Sequence, residues 1–167
     1  HGRVMLLDVG AFGVRRVLKE HLTRQGVAPG DVTDIVLTHA HYDHAVNFTL
    51  FPNATVWIGE EELHWAAAQP PGFNPLPELY VRELQSSVRV SRIRPGESLL
   101  PGWRVVAAPG HTPGSLVFLL EDTQSPVLFT GDAVKNRAEL LGMRVDASMD
   151  HAASGTTLHA IWEIWRA

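Results

Sequence analysis

Residues 38–44 read Thr38-His39-Ala40-His41-Tyr42-Asp43-His44, so three imidazoles and a carboxylate stand within one short stretch. Imidazole nitrogen and carboxylate oxygen are the donors that zinc, manganese or iron accept, and the run reads as a cluster of metal ligands. With nine His in 167 residues, the spacing H-x-H-x-D-H arises by chance about once in a thousand such chains, which sets aside a plain polar surface loop.

Residues two apart on an extended backbone point to the same side, so His39 and His41 can converge on one ion. Asp43 and His44 lie past the bend and can face a second. A third nitrogen for the first ion is offered by His111 in Pro109-Gly110-His111-Thr112-Pro113-Gly114, a turn whose Gly and Pro residues hold the backbone and present the ring. Asp132, in Thr130-Gly131-Asp132-Ala133, follows an apolar strand, and one carboxylate can bridge two cations. Tyr42 cannot be far from the ions and is a candidate lining of the substrate pocket. Lys135 and Arg137 are candidates for holding an anionic substrate group.

The elements that must carry these side chains alternate between strands and helices, which indicates an α/β or α+β layer architecture. Val4 to Leu7 reads as a strand closed by Asp8-Val9-Gly10. Val14, Val17, Leu18 and Leu22 form one helical face, with Gly26 at the expected helix end. Asp34 to Thr38 is a strand that delivers the His cluster at its carboxyl end. A short strand near Val56-Trp57-Ile58 is followed by a helix over 60–68, and the Pro-rich stretch from Pro70 to Pro77 reads as a surface loop over the rim of the site. Strands are expected over 87–93, 103–108, 115–120 and 126–130, and a last helix over 156–166 buries Leu158, Ile161, Trp162 and Trp165.

Composition narrows the partners. A net charge of −4 and 19% charged residues argue against an electrostatic grip on nucleic acid, leaving a small molecule as the expected substrate. No apolar run approaches the ~20 residues of a membrane span. The chain has no Cys, so its metal shell is nitrogen and oxygen. No leader is visible and the reading is cytoplasmic, although the first residue is His1 rather than Met. His1, His21 and His64 read as ordinary residues, and a helix carrying Trp162 and Trp165 could pair with a second subunit.

Taken together, the H-x-H-x-D-H run, the later P-G-H-T turn and the acid of Thr130-Gly131-Asp132 resemble the metallo-β-lactamase-fold hydrolases. The resemblance covers nearly the whole chain, and Leu7-Asp8-Val9-Gly10 looks like that family's early strand-ending Asp, a structural residue beneath the site. It implies one domain over 1–167, an αββα sandwich with the site at the edge of its two sheets. It further implies two divalent ions, one on His39, His41 and His111, the other on Asp43 and His44, with Asp132 bridging. The pair would generate a hydroxide, with Asp43 orienting the water and handling its proton.

The family's last ligand, a His after a final strand, has no counterpart here. His159 falls in line with Glu163 and Arg166 on a solvent face, while His151, in the loop before the last helix, is more open. The chain therefore reads as a portion cut at both ends, with the last ligand-bearing loop beyond Ala167 and the second ion held less tightly. The lack of Cys counts against Cys-liganded β-lactamases. The motifs look like those of the lactonase and glyoxalase II groups, but Val134-Lys135-Asn136-Arg137 stands where lactonases carry a substrate-polarising Tyr. The stretches 25–33 and 47–54 also resemble small metallo-β-lactamase-domain proteins linked to RNA processing. The expectation is a dinuclear hydrolase of an ester-like carbonyl, lactone or thioester. A phosphodiesterase or nuclease is second, and a non-catalytic metal-binding relative third.

Overall fold

The apolar runs expected as strands pair into two separate sheets in the computed structural model, which describes residues 2–74, 76–121 and 124–166. The chain divides into two units, His1–Ile58 with Leu63–Arg92, and Gly59–Glu62 with Ile93–Ala167.

In the first unit the sheet order is β1 (Met5–Leu7), β2 (Asp34–Val36), β3 (Thr55–Gly59), β4 (Val90–Ile93), with β2 parallel to both β1 and β3. All three residues of β2 are buried, as expected for a central parallel strand covered on both faces. Helices α1 (Arg15–Arg24), α2 (Tyr42–Ala45) and α4 (Glu78–Ser86) belong to this unit, while α3 (Glu60–Ala68) has its first three residues, Glu60 to Glu62, in the second. The core joins Ile35, Val56 and Ile58 of the sheet to Phe48, Phe51, Leu63, Val81 and Leu84.

Helix α3 has the expected bounds, and α1 ends before Gly26, whose φ of 72° suits a helix terminator. The apolar face of α1 is narrower than its spacing suggested. Leu22 is buried and Leu18 packs on the core, but Val14 and Val17 are exposed. The Pro-rich stretch is not wholly surface, because Asn74 and Leu76 are buried; Pro75 lies outside the described residues, as does His1. Helix α4 was not expected at all. Tyr80, Val81 and Leu84 give it an apolar side, and Pro77 sets its start by supplying φ −59° without an amide to satisfy.

Two buried polar residues fix the loops of this unit. Asp34, 2% exposed, accepts from Arg3, Thr33 and the Trp57 indole, so its charge is paired rather than stranded. Asn47, fully buried, donates to the carbonyls of Val9, Gly10 and Ala11 and accepts from Arg15 Nε. It thereby ties down the turn that follows β1.

The second unit holds an antiparallel sheet, β5 (Trp103–Ala107), β6 (Leu116–Leu120), β7 (Val127–Phe129), with Phe118 opposite both Val105 and Phe129. Trp103 stacks on Phe129 with ring centroids 5.6 Å apart. Two helices follow, α5 (Arg137–Gly142) and α6 (His151–Arg166). Their core is Val117, Val134, Val145, Leu158 and Ile161. Helix α5 was not expected. Asn136 caps it by accepting from the Glu139 amide, an Asn-x-x-Glu start that the sequence does carry.

Helix α6 begins at His151 rather than at Thr156, because the Asp150 carboxylate accepts from the Ala153 amide and starts the helix before Gly155. His151 is thus its first residue, not part of a loop, and His159 is exposed as expected. Leu158 and Ile161 are buried, but Trp165 is 60% exposed, its ring 5.3 Å from that of Trp162. Among the described residues no helix is long and apolar enough to cross a membrane.

Removing the Asn47 carboxamide leaves three carbonyls of the post-β1 turn short of a donor. Asn47→Ala is expected to lower stability by about 3 kcal/mol in urea unfolding. Gly155 sits within α6 with nothing within 4 Å of an added Cβ, so Gly155→Ala is expected to raise stability by up to about 1 kcal/mol.

Candidate metal centre

The chain leaves β2 through Leu37, whose amide donates to the Trp57 carbonyl and keeps the backbone extended up to the His cluster. His39 is 1% exposed and His41 half-buried, and their rings lie 4.6 Å apart, as side chains two residues apart on an extended backbone require. His41 then caps α2, and the turn of that short helix brings His44 back so that its ring lies 4.2 Å from that of His39. Asp43 is half-exposed, with Oδ2 3.8 Å from His44 Nε2. Tyr42, which precedes Asp43 in the chain, is 43% exposed. The first unit therefore gathers His39, His41, Asp43 and His44.

Asp8 organises this group from beneath. Its Oδ1 accepts from the Thr38 amide at 2.8 Å, and its Oδ2 accepts from the Thr38 hydroxyl and from His44 Nδ1, both at 2.8 Å. The Val9 amide donates to the His44 carbonyl as well. Asp8 has φ +52°, a left-handed conformation uncommon for a residue with a Cβ, held here by the bonds on either side of it.

These bonds decide the protonation of the rings. The hydroxyl of Thr38 has one hydrogen and gives it to Asp8, so at 3.0 Å from His39 Nδ1 its oxygen accepts, and His39 carries its proton on Nδ1. His44 Nδ1 faces a carboxylate and likewise donates. Both rings then hold the lone pair on Nε2, the tautomer in which a metal-binding His donates its other N–H to an oxygen.

The second unit repeats this device with different parts. His111, 8% exposed, has Nδ1 3.0 Å from the Ala147 carbonyl, which can only accept, so Nδ1 donates and Nε2 is the nitrogen turned toward Asp132. Ala147 has φ +52°. The Met149 and Asp150 amides donate to the carbonyls of His111 and Gly110, and Thr157 donates to that of Pro109, so the start of α6 braces the turn. Asp132, in the 3-10 turn Gly131–Ala133 after β7, places Oδ2 3.4 Å from His111 Nε2. A ring nitrogen and a carboxylate oxygen held that close call for a proton or a cation between them.

The two glycines of the turn have no alternative. A Cβ on Gly110 would stand 2.2 Å from Ser154 Oγ, and one on Gly114 would stand 2.2 Å from the Glu62 amide nitrogen. Lys135 does not reach away from its own loop: its ammonium donates to the Asp146 carbonyl at 2.7 Å and pairs with Glu139 at 3.2 Å. A cavity of about 500 Å³ behind the turn is lined by Glu60, Arg94, Pro109 and Pro113, and includes none of the candidate ligands.

Imidazoles with anchored Nδ1 atoms, carboxylates beside them and no thiolate form a donor set that fits divalent cations. Sequence spacing had pointed to these candidate ligands. It had not pointed to Thr38, Glu62 or Ala147, which bear no signature of their own.

The sequence profile of the metallo-β-lactamase superfamily matches residues 1–164. A metallo-β-lactamase domain-containing protein 1 from Rattus norvegicus is 47% identical over 57 residues, 34% of this chain and 23% of that protein. An N-acyl homoserine lactonase from a Bacillus species is 33% identical over 114 residues, 67% of this chain and 42% of the lactonase. The matches thus span less than half the length of these two relatives. A crystal structure of a B. thuringiensis mutant protein with N-decanoyl-L-homoserine at its active site superposes with a TM-score of 0.79 at 21% identity, covering 97% of this chain and 72% of that one.

At a pH where the rings are neutral, 1H–15N correlation of the imidazoles is expected to show His39, His44 and His111 as Nδ1–H tautomers. Asp8→Asn is expected to move His44 toward the Nε2–H form. Gly110→Ala, facing the Ser154 backbone as well as its side chain, is expected to lower stability by about 3 kcal/mol or more.

Proposed function

This chain belongs to the metallo-β-lactamase superfamily, and from that premise we propose that His39, His41 and His111 hold one divalent cation, Asp43 and His44 hold a second, and Asp132 bridges the two. The observation that carries the reading is a shared anchor: the imidazoles of His39, His44 and the distant His111 each place Nδ1 within 3.0 Å of an oxygen, the arrangement that presents Nε2 to a cation. Zinc suits this shell, as do manganese and iron. Bound cations of this kind supply Lewis acidity and lower the pKa of a coordinated water to about 7.

The residues of the chain do the remaining work. Asp43, half-exposed beside His44, orients the attacking water and takes its proton. Asp8 and Thr38 keep His44 and His39 in the ligating tautomer throughout. Tyr42, exposed next to Asp43, lines the substrate side. We assign Lys135 to holding its loop through Glu139 and Asp146 rather than to an anionic substrate group.

The reaction we infer is hydrolysis of an ester-like carbonyl, a lactone or thioester. Similarity to N-acyl homoserine lactonases supports a carbonyl substrate, and so does the engagement of Lys135, because a neutral carbonyl needs no cationic clamp. A panel of an acyl lactone, an acyl thioester and bis-p-nitrophenyl phosphate tests it. Turnover of the lactone or thioester is expected, with loss of about a hundredfold or more in kcat for Asp43→Asn; turnover of the phosphodiester alone would reverse the assignment.

The two ions should not bind alike. One is offered three imidazoles and a shared carboxylate, the other one imidazole and two carboxylates. Zinc titration by calorimetry is expected to resolve two unequal events, the tighter removed by His111→Ala and the looser by His44→Ala. Two equal, tight sites would contradict this ligand partition.

A further inference from the structure

Glu62 is fully buried in the first turn of α3, a position where a carboxylate is ordinarily solvated. Its Oε2 accepts from the Thr112 hydroxyl at 2.7 Å and from the Gly114 amide at 3.1 Å, so one oxygen grips the turn on the far side of His111. Thr112 is itself fully buried, its hydroxyl 2.5 Å from that of Ser115, and its amide donates to the Ser115 hydroxyl at 3.2 Å. Gly114 leaves no room for a side chain against the Glu62 backbone, so the turn and the helix start are in direct contact.

We propose that Glu62, acting through Thr112 and Ser115, is the positioning residue that sets the His111 ring for its cation; the proposal rests on His111 being a ligand. The ring is held at two points. Ala147 fixes its rotation through Nδ1, and the Glu62 grip fixes the backbone from which the ring projects. A buried carboxylate accepting a hydroxyl and an amide makes charge-assisted bonds, stronger than neutral ones. An apolar residue in this place would fill the same volume without holding the turn. Glu62 therefore acts on the cation through the register of residues 111–114, without touching it.

The test is zinc titration of the parent chain, Thr112→Val, Thr112→Ser and Ser115→Ala, with the Co(II) ligand-field spectrum recorded for each. Thr112→Val is expected to weaken the tighter ion about tenfold and shift the Co(II) spectrum, leaving the looser ion unchanged. Thr112→Ser, which restores the hydroxyl, is expected to restore both affinity and spectrum, whereas a purely structural effect would move thermal stability alone. Should Thr112→Val fail to fold, Ser115→Ala leaves Glu62 in place and is expected to shift the spectrum in the same direction. A folded Thr112→Val or Ser115→Ala that binds zinc and Co(II) as the parent does would overturn the positioning role. A parent chain whose tighter ion survives His111→Ala would instead overturn the ligand assignment beneath it.

Discussion

The Asp8 carboxylate is the constraint on which the His cluster depends. It takes three hydrogen bonds, two from Thr38 and one from His44, and the hydroxyl it orients then accepts from His39. One acid thus selects the tautomer of two imidazoles at once. Without it, each ring could carry its proton on either nitrogen, and the Nε2 lone pairs would be present only part of the time. The left-handed backbone at Asp8 follows from the same demand, since the carboxylate must turn toward the end of β2 immediately after β1 stops. Asn47 secures that turn by bonding the next three carbonyls, so the strain is confined between two anchored segments.

The second unit meets an equivalent demand by other means. Here the acceptor for the ring is the Ala147 carbonyl, again at a residue with φ +52°, and the backbone is gripped by Glu62 rather than by an acid at a strand end. The similarity lies in the physics and not in the sequence. A neutral imidazole ligand needs an oxygen on Nδ1 and a backbone that cannot swing, and any acid, hydroxyl or carbonyl can serve. In both units the anchoring groups are more buried or more strained than their positions in the chain would suggest.

This division explains how much could be read from the sequence. The candidate ligands and the strands that deliver them were legible because chemistry and periodicity are local: His39 and His41 two residues apart, β2 continuous and apolar, α3 bounded by turn residues. The anchors were not, because Glu62 and Thr112 lie 50 residues apart, and a Glu in a first helical turn looks like a favourable partner of the helix dipole. Asp8 was visible only through family resemblance. Helix α4 was hidden by the Pro-rich stretch before it, and α6 was entered too late because its opening residues, His151 to Gly155, include no large apolar side chain to mark it. The missed α5 carried its Asn136-x-x-Glu139 start in plain sight.

Glu139 bears on the substrate as well as on the fold. Its buried carboxylate accepts from the Lys135 and Asp146 amides and pairs with the Lys135 ammonium, closing the loop after Asp132 into a self-contained unit. A lysine held by a buried acid and a carbonyl would have to give up both to clamp a phosphate, and the Glu139 carboxylate would lose its charged partner. The carbonyl substrate proposed above would make no such demand on Lys135, because divalent cations held by the candidate ligands would supply the Lewis acidity. The loop after Asp132 thus agrees with the ester-like substrate proposed above for the same reason that it holds its shape.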